Sequence, residues 1–267
     1  MRYVFFGEEM KKSVKILLII ASIFLFLSTH FLSFRGVLVE AESFELISTY
    51  TTYFNEKDGG RSENIRIASR LIDGVTLQAY GEFSFNQTVG KRSESAGFKE
   101  AKIIVNGNYV QGVGGGVCQV STTLYNSALK AGLTVTEFHP HSLRVGYVPP
   151  SRDAMVSTHS DLKLFNPYDF PVRLRAEVKG GSVTVRFYGK KSKYRYEIVS
   201  EILEKIAPPP PIVKEGEKED TIRQEVEGTK SEAYLEIYLK NALLTRRRLR
   251  VDEYRPVQGI IVKKIEG

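Results

Sequence analysis

The 267-residue sequence contains a single cysteine, no tryptophan and only four histidines. One thiol excludes an intramolecular disulfide, so Cys118 is a buried spectator, an intermolecular partner or a reactive group. The lack of a second cysteine also argues against a zinc site. Because the sequence lacks a recognised nucleic-acid-binding motif, its formal charge of +7 suits an anionic cell wall or membrane face better than nucleic acid.

The amino terminus indicates export. An apolar run at 16–27 follows four basic residues, and Val39-Glu40-Ala41 offers a small-residue cleavage site. Residues 1–41 therefore predict a signal peptide or, if the apolar stretch continues through Phe34 and stays uncleaved, a membrane anchor. With either outcome, we expect an extracytoplasmic protein that is membrane-anchored or secreted to the cell wall.

Hydrophobic periodicity predicts an α+β fold with few helices and many antiparallel strands. Helices are expected over 61–71 and 119–129. An Asn106-Gly107 turn predicts a β-hairpin over 102–110. Further strands are expected at 43–55, 75–80, 83–85, 135–138, 143–148, 163–165, 172–178, 182–188, 233–239 and 243–254.

Composition divides the chain into four parts. After the export segment, 1–41, we expect a main α+β domain over 42–190. Four consecutive prolines and a charged run predict a linker over 191–220. Alternating strands then predict a small all-β module over 221–267.

The surroundings of Cys118 favour a reactive thiol. Three glycines, 114–116, directly precede the predicted helix and allow a close approach of backbone or ligand. The sulfur then lies near a helix amino terminus, where free amides and the helix dipole favour the thiolate. Such a thiolate is a nucleophile near neutral pH.

A nucleophilic thiol needs a base and an orienting group, and the sequence offers several of each. His139 and His141 follow the cysteine helix, with His159 further on, and Asp153 or Asp161 would orient the base. The Cys118 amide and the Gln119 side chain are candidates for an oxyanion hole. This arrangement is expected of a papain-like site without metal or cofactor.

Each feature also has a plainer interpretation. Cys118 can simply pack beneath the glycine turn, and His139-Pro140-His141 can be a polar loop. A metal site of Cys118, His139 and His141 is a further alternative, which the proline between the histidines weakens.

Four segments in order resemble the VanW family, and the match covers roughly residues 48–188. The segments are Gly81-Glu82-Phe83-Ser84-Phe85-Asn86, the run 114–126 around Cys118, His139-Pro140-His141-Ser142, and Ser151-Arg152-Asp153-Ala154. The tail resembles the G-five domain, a β module of cell-surface proteins, through Glu227-Gly228-Thr229-Lys230, its paired strands and Tyr254-Arg255-Pro256.

The resemblance to the VanW family implies a peptidoglycan L,D-transpeptidase that forms 3-3 cross-links through a cysteine thioester. Cys118 would accept the acyl group of a stem peptide, and His141, or else His139, would be the base. The implied substrate site includes Gly116, Gln119, Ser121 and Arg152, with Arg152 or Arg144 binding a carboxylate. Partners would be peptidoglycan stem peptides and glycan.

Two other functions stay open at this point. A cysteine peptidoglycan hydrolase would share the thioester and differ only in its resolution by water. A non-catalytic peptidoglycan- or glycopeptide-binding accessory protein would use Cys118 for packing alone.

Overall fold

Strands dominate the architecture, and helices are few. The computed structural model describes residues 44–105, 107–216 and 220–264, all within one compact unit, Phe44–Gly267. The antiparallel, strand-rich character of the predicted α+β fold is confirmed. The helices are α1 (Gly59–Ile72), α2 (Phe85–Val89) and α3 (Val117–Lys130), with a 3-10 turn at Glu94–Ala96.

The strands run from one end of the described chain to the other. They are β1 (Glu45–Tyr53), β2 (Thr76–Leu77), β3 (Glu82–Ser84), β4 (Glu100–Val105), β5 (Asn108–Val113), β6 (Thr134–Glu137), β7 (Lys163–Phe165), β8 (Val172–Lys179), β9 (Ser182–Gly189), β10 (Tyr194–Ile206), β11 (Ile212–Gly216), β12 (Asp220–Arg223), β13 (Gly228–Leu239), β14 (Ala242–Tyr254) and β15 (Ile260–Lys264).

The main sheet has the order β1-β9-β8-β2 and is antiparallel throughout. Alternation along β9 turns Val183, Val185 and Phe187 toward the core, where all three are fully buried. Helix α3 packs on β1 and β9, and α1 packs on β8 and α3. The core therefore lies between this sheet and the two long helices.

Helix α3 is the central element of the core. Every residue of it is buried except Cys118 and Lys130. Some of its polar side chains bond to β1; for example, the Thr52 and Thr123 hydroxyls lie 2.8 Å apart. The helix is therefore fixed on all sides, and the position of its first turn is fixed with it.

Two smaller sheets complete the main domain. Strands β3, β7 and β6 form one antiparallel sheet in that order. Strands β4 and β5 form the predicted hairpin, with Glu100 opposite Val113. Gly115 allows α3 to begin against this hairpin, because a Cβ atom there would lie 2.7 Å from the Lys102 carbonyl oxygen.

Two segments differ from the predictions. Residues 143–148 do not form a strand, although Leu143, Val145 and Val148 are buried. Their alternate burial arises in an irregular segment, with bends at 142–143 and 146–148. The expected linker contains two strands, since β10 pairs with β13 and β11 pairs in parallel with β15.

The carboxyl-terminal strands form two sheets, β10-β13-β14 and β11-β15-β12. The first packs against the main domain, because β10 contacts α3 and Ser231 of β13 bonds to Ser151. The domain boundaries given above stay predictions.

The predicted signal peptide or anchor, 1–41, lies outside the described residues. Within the described ranges, no helix is both long enough and apolar enough to cross a membrane.

Candidate active site

Cys118 is the second residue of α3 and lines a large cleft. Gly116 caps the helix at a φ of 103°, and a Cβ atom there would lie 2.9 Å from the Arg61 carbonyl oxygen. This position therefore requires glycine. The Val117 and Gln119 amides donate to the carbonyl groups of Gly114 and Gly116.

The amide of Cys118 lies between these two engaged amides. Among the described residues it has no hydrogen-bond acceptor. It remains open to a substrate oxygen, as the sequence predicts for an oxyanion-hole donor.

His141 is hydrogen-bonded to Asp153 and interacts with Cys118. Its Nδ1 donates to Asp153 Oδ2 at 2.6 Å, and its backbone amide donates to the same oxygen at 2.7 Å. Because Nδ1 is occupied, Nε2 is the ring nitrogen left to interact with the Cys118 thiol. The hydrogen bond that the thiol itself makes is to the Val156 carbonyl, at 3.4 Å. His141 is 7% exposed and Asp153 is 1% exposed. The three side chains thus form a nucleophile, base and orienting carboxylate in series.

The electrostatics favour an ion pair between Cys118 and His141. Burial opposes the thiolate, but the hydrogen bond and charge of His141 outweigh it and lower the pKa of Cys118. Burial also opposes the imidazolium, yet Asp153 and Cys118 raise the pKa of His141 to about 9. At neutral pH, both shifts favour thiolate and imidazolium over their neutral forms.

Asp153 stays ionised despite its burial. Desolvation would raise its pKa, but the hydrogen bond and charge of His141 lower it, helped by Arg250 and by a hydrogen bond from Tyr254. A negative Asp153 is what fixes the imidazole tautomer and supports its positive charge.

The other predicted bases and orienters lie elsewhere. His139 Nε2 is 3.0 Å from Glu137 Oε1, and this side chain does not line the cleft. His159 is exposed, and its backbone amide donates to Ser157 Oγ. Asp161 accepts hydrogen bonds from Ser84 Oγ and the Asn86 amide, so it stabilises the start of α2.

Gln119 differs from its predicted oxyanion role. Its Nε2 donates to Thr52 Oγ1 at 2.9 Å and to the Tyr53 carbonyl at 3.0 Å, while its Oε1 accepts from Arg61. Both amide protons are therefore used to hold α3 against β1. The side chain is buried and has no donor left for substrate.

Ser121 and Arg152 also serve structure. Ser121 Oγ donates to the Ala154 carbonyl at 2.6 Å and is fully buried. Arg152 Nε donates to Asn126 Oδ1, and the guanidinium stacks on the Tyr50 ring. Neither residue lines the cleft, which differs from the substrate-binding roles expected for them.

The cleft around Cys118 has a volume of about 1010 Å³ and a basic lining. Its charged residues outside the thiol–imidazole pair are four cations, Arg61, Lys91, Arg92 and Lys102, and two carboxylates, Asp58 and Glu100. The charge of Arg92 acts on Cys118 and lowers the pKa of the thiol. An anionic substrate is therefore favoured at this opening.

Four residues of the site have no local sequence signal. Arg92 and Tyr147 line the cleft, and Tyr147 is close enough for the charge of Cys118 to raise its pKa beyond the increase due to burial. Arg250 and Tyr254 reach Asp153 from β14, about a hundred residues along the chain. Only the folded arrangement brings them to the site.

Metal binding has no support in the geometry. Across the part of the chain that the structure describes, no three His, Cys, Asp or Glu side chains gather to hold a metal ion. His139, a member of the alternative metal set, is bonded to Glu137 instead.

Comparison with known proteins places this site in a family. A model of the VanW like protein family matches residues 60–188. Uncharacterized protein YoaR of Bacillus subtilis is 43% identical over 156 residues, 56% of this chain and 52% of YoaR. Vancomycin B-type resistance protein VanW of Enterococcus faecalis is 28% identical over 112 residues, 40% of this chain and 41% of that protein.

The chain thus spans about half the length of these curated relatives. The solved IgA1 protease G5 domain matches 28% of this chain and 89% of its own, at 16% identity and a TM-score of 0.19. The matched range 60–188 includes Cys118, His141 and Asp153. Through this region the chain belongs to the VanW family.

Proposed function

We propose that this protein is a peptidoglycan L,D-transpeptidase that acts outside the cytoplasm through a thioester on Cys118. The observation that carries the proposal is the series Cys118, His141 and Asp153, in which His141 is bonded to Asp153 and interacts with the thiol, at the edge of an open basic cleft. Export rests on the amino-terminal sequence, and stem peptides and glycan are the proposed partners.

In the first step, the Cys118 thiolate attacks the carbonyl carbon of the third residue of a donor stem peptide. The resulting oxyanion accepts a hydrogen bond from the Cys118 amide. The bond to the terminal D-alanine then breaks, and the departing nitrogen takes the proton from His141 Nε2. A thioester, a neutral imidazole and free D-alanine result.

In the second step, the amine of a neighbouring stem attacks the thioester. Neutral His141 accepts the proton that the amine loses, and Cys118 leaves as a thiolate. An amide cross-link forms, and the thiolate–imidazolium pair is restored. Asp153 keeps the imidazole in the tautomer that both steps need.

Arg92 is the residue that we propose to bind the carboxylate of the departing D-alanine. It lines the cleft with Cys118, and its guanidinium donates to Asn86 Oδ1 at 2.6 Å and stacks on the Phe85 ring. A guanidinium held in this way is suited to bind a carboxylate.

Replacement of Arg92 by methionine is expected to lower kcat/KM for a tetrapeptide donor about tenfold or more, the value of one charge-assisted contact. A donor whose terminal carboxylate is amidated should lose little, since it does not offer the anion. Arg152→Met is the matched control, because Arg152 lies outside the cleft. Equal losses for both donors would exclude carboxylate binding by Arg92.

Turnover is expected to depend on pH in a bell shape. The acid limb follows protonation of Cys118. Because the pKa of this thiol is lowered, the limb lies at a lower pH than an ordinary thiol would give. The basic limb lies near pH 9, where His141 loses the proton that the leaving amine needs. Alkylation of Cys118 should show the acid limb alone, because the thiolate persists above pH 9.

The rates of turnover and of Cys118 alkylation are measured in one set of buffers from pH 4 to 10. Turnover that continues to rise up to pH 10 would contradict the acid role of His141.

Products of the wild-type protein with a tetrapeptide-stem muropeptide test the reaction itself. A cross-linked dimer together with free D-alanine supports the transpeptidase. Free D-alanine or other stem fragments without a dimer would indicate the hydrolase, in which water resolves the thioester. No product from folded protein, with donor and acceptor present, would overturn the enzyme and favour the binding protein.

A further inference from the structure

Strand β14 of the carboxyl-terminal sheet contributes to the site around Cys118. We infer that Tyr254 is a positioning residue, which holds the Asp153 carboxylate and through it the His141 base. This inference rests on the proposed thiol chemistry. It assigns the carboxyl-terminal strands a part in catalysis.

The two oxygens of Asp153 have separate partners. Oδ2 accepts both hydrogen bonds from His141, while Oδ1 accepts a 2.5 Å hydrogen bond from the Tyr254 hydroxyl. Tyr254 and Asp153 are each 1% exposed, so water does not compete for this bond. With both oxygens held, the carboxylate is prevented from rotating away from the imidazole.

Arg250, on the same strand, supports Asp153 from a second direction. Its Nη1 donates to the Asp153 carbonyl at 2.6 Å, and its Nη2 lies 3.6 Å from Oδ1. Asp252 fixes the guanidinium by accepting from Nε at 2.6 Å, and the group stacks on Phe138. A buried cation so placed helps to keep the carboxylate ionised.

The turn before Asp153 is anchored by three carboxyl-terminal strands. Ser151 has a φ of 57°, a left-handed conformation that is unfavourable for a residue with a side chain. Its amide donates to the Tyr254 hydroxyl at 2.7 Å, and its hydroxyl bonds to Ser231 Oγ at 2.8 Å. Ser200 Oγ donates to the Pro150 carbonyl. These contacts stabilise the strained turn, and so the catalytic carboxylate has little freedom to move.

The test is the pH dependence of Cys118 alkylation by iodoacetamide in Tyr254→Phe, made in the full chain. Without the hydroxyl, the Asp153 carboxylate is free to rotate and stabilises the imidazolium of His141 less. The imidazolium then stabilises the Cys118 thiolate less. We expect the alkylation midpoint to move to higher pH and the rate at pH 6 to fall about tenfold. Asp153→Asn should shift the midpoint the same way and further.

Tyr168→Phe is the matched control. Tyr168 also donates its hydroxyl to a partly buried acceptor, the Ala131 carbonyl at 2.8 Å, but it lies outside the cleft. It should lose stability in thermal unfolding and keep the wild-type midpoint. If Tyr254→Phe likewise loses stability alone, Tyr254 is only structural and the inference is overturned.

The two proposals fail separately. An ordinary midpoint in the wild-type protein would overturn the activated thiol, whereas a low wild-type midpoint that Tyr254→Phe leaves unchanged would overturn only the role of β14. If Tyr254→Phe does not fold, Arg250→Lys tests the support that β14 gives Asp153, because it keeps the charge and removes the guanidinium that bonds to the Asp153 carbonyl. An unchanged midpoint in that variant would overturn the role of β14.

Discussion

Cys118→Ala is expected to abolish cross-linking, with turnover lowered by roughly 10⁴-fold or more, because the thioester then has no sulfur to form on. The fold should survive. The thiol is half-buried, and its hydrogen bond to the Val156 carbonyl, at 3.4 Å, comes from a weak donor. Initial rates with a tetrapeptide muropeptide and a thermal unfolding curve measure the two effects on the same sample. Wild-type rates in this variant would mean that the nucleophile lies elsewhere.

His141→Ala is expected to lower turnover by about 10²- to 10⁴-fold, the usual contribution of a general acid and base. The same change removes the imidazolium that lowers the pKa of Cys118, so alkylation at neutral pH should slow as well. Both rates are measured against wild type, with circular dichroism to confirm that the variant is folded.

His139→Ala is the matched control, since it removes an imidazole two residues away. His139 is partly exposed and bonded to Glu137, so turnover and alkylation should stay within about twofold of wild type. Loss of alkylation in His139→Ala, with His141→Ala unaffected, would reverse the assignment of the base.

Local sequence signals predicted the elements that depend on local structure. The helix expected over 119–129 is present as Val117–Lys130, with Cys118 in its first turn. The Asn106-Gly107 turn marked the β4–β5 hairpin. These predictions succeed because helix periodicity and turn chemistry depend on residues that are close along the chain.

Predictions failed where long-range pairing decides the structure. Charges along 194–206 indicated a linker, yet this segment is strand β10, and its Glu201 pairs with Arg246 of β14. Leu143, Val145 and Val148 alternate like a strand, but their backbone bends and pairs with no strand among the described residues. Whether a segment joins a sheet depends on the strands that lie beside it in space. The composition of the segment does not reveal them.

Cys118 and His141 could be predicted from the sequence, whereas the other residues of the candidate site could not be assigned from it. Cys118 was marked by its glycines, and His141 was preferred over His139 by resemblance to the family. Spacing does not distinguish Asp153 from Asp161, since either can follow the histidine in a loop. The structure assigns Asp153 to His141 and Asp161 to the start of α2. Arg92 and Tyr254 meet the site only through tertiary contacts.

The most direct test of the central claim is the intact mass of the protein after brief mixing with a tetrapeptide-stem donor in the absence of an acceptor. The proposed thioester mechanism predicts a mass gain equal to the mass of the donor minus that of D-alanine. The added group should map to Cys118 by peptide mapping and be released by hydroxylamine. Cys118→Ala should show no gain. A folded wild-type protein that gains no mass, while its thiol reacts no faster than free cysteine, would contradict the account.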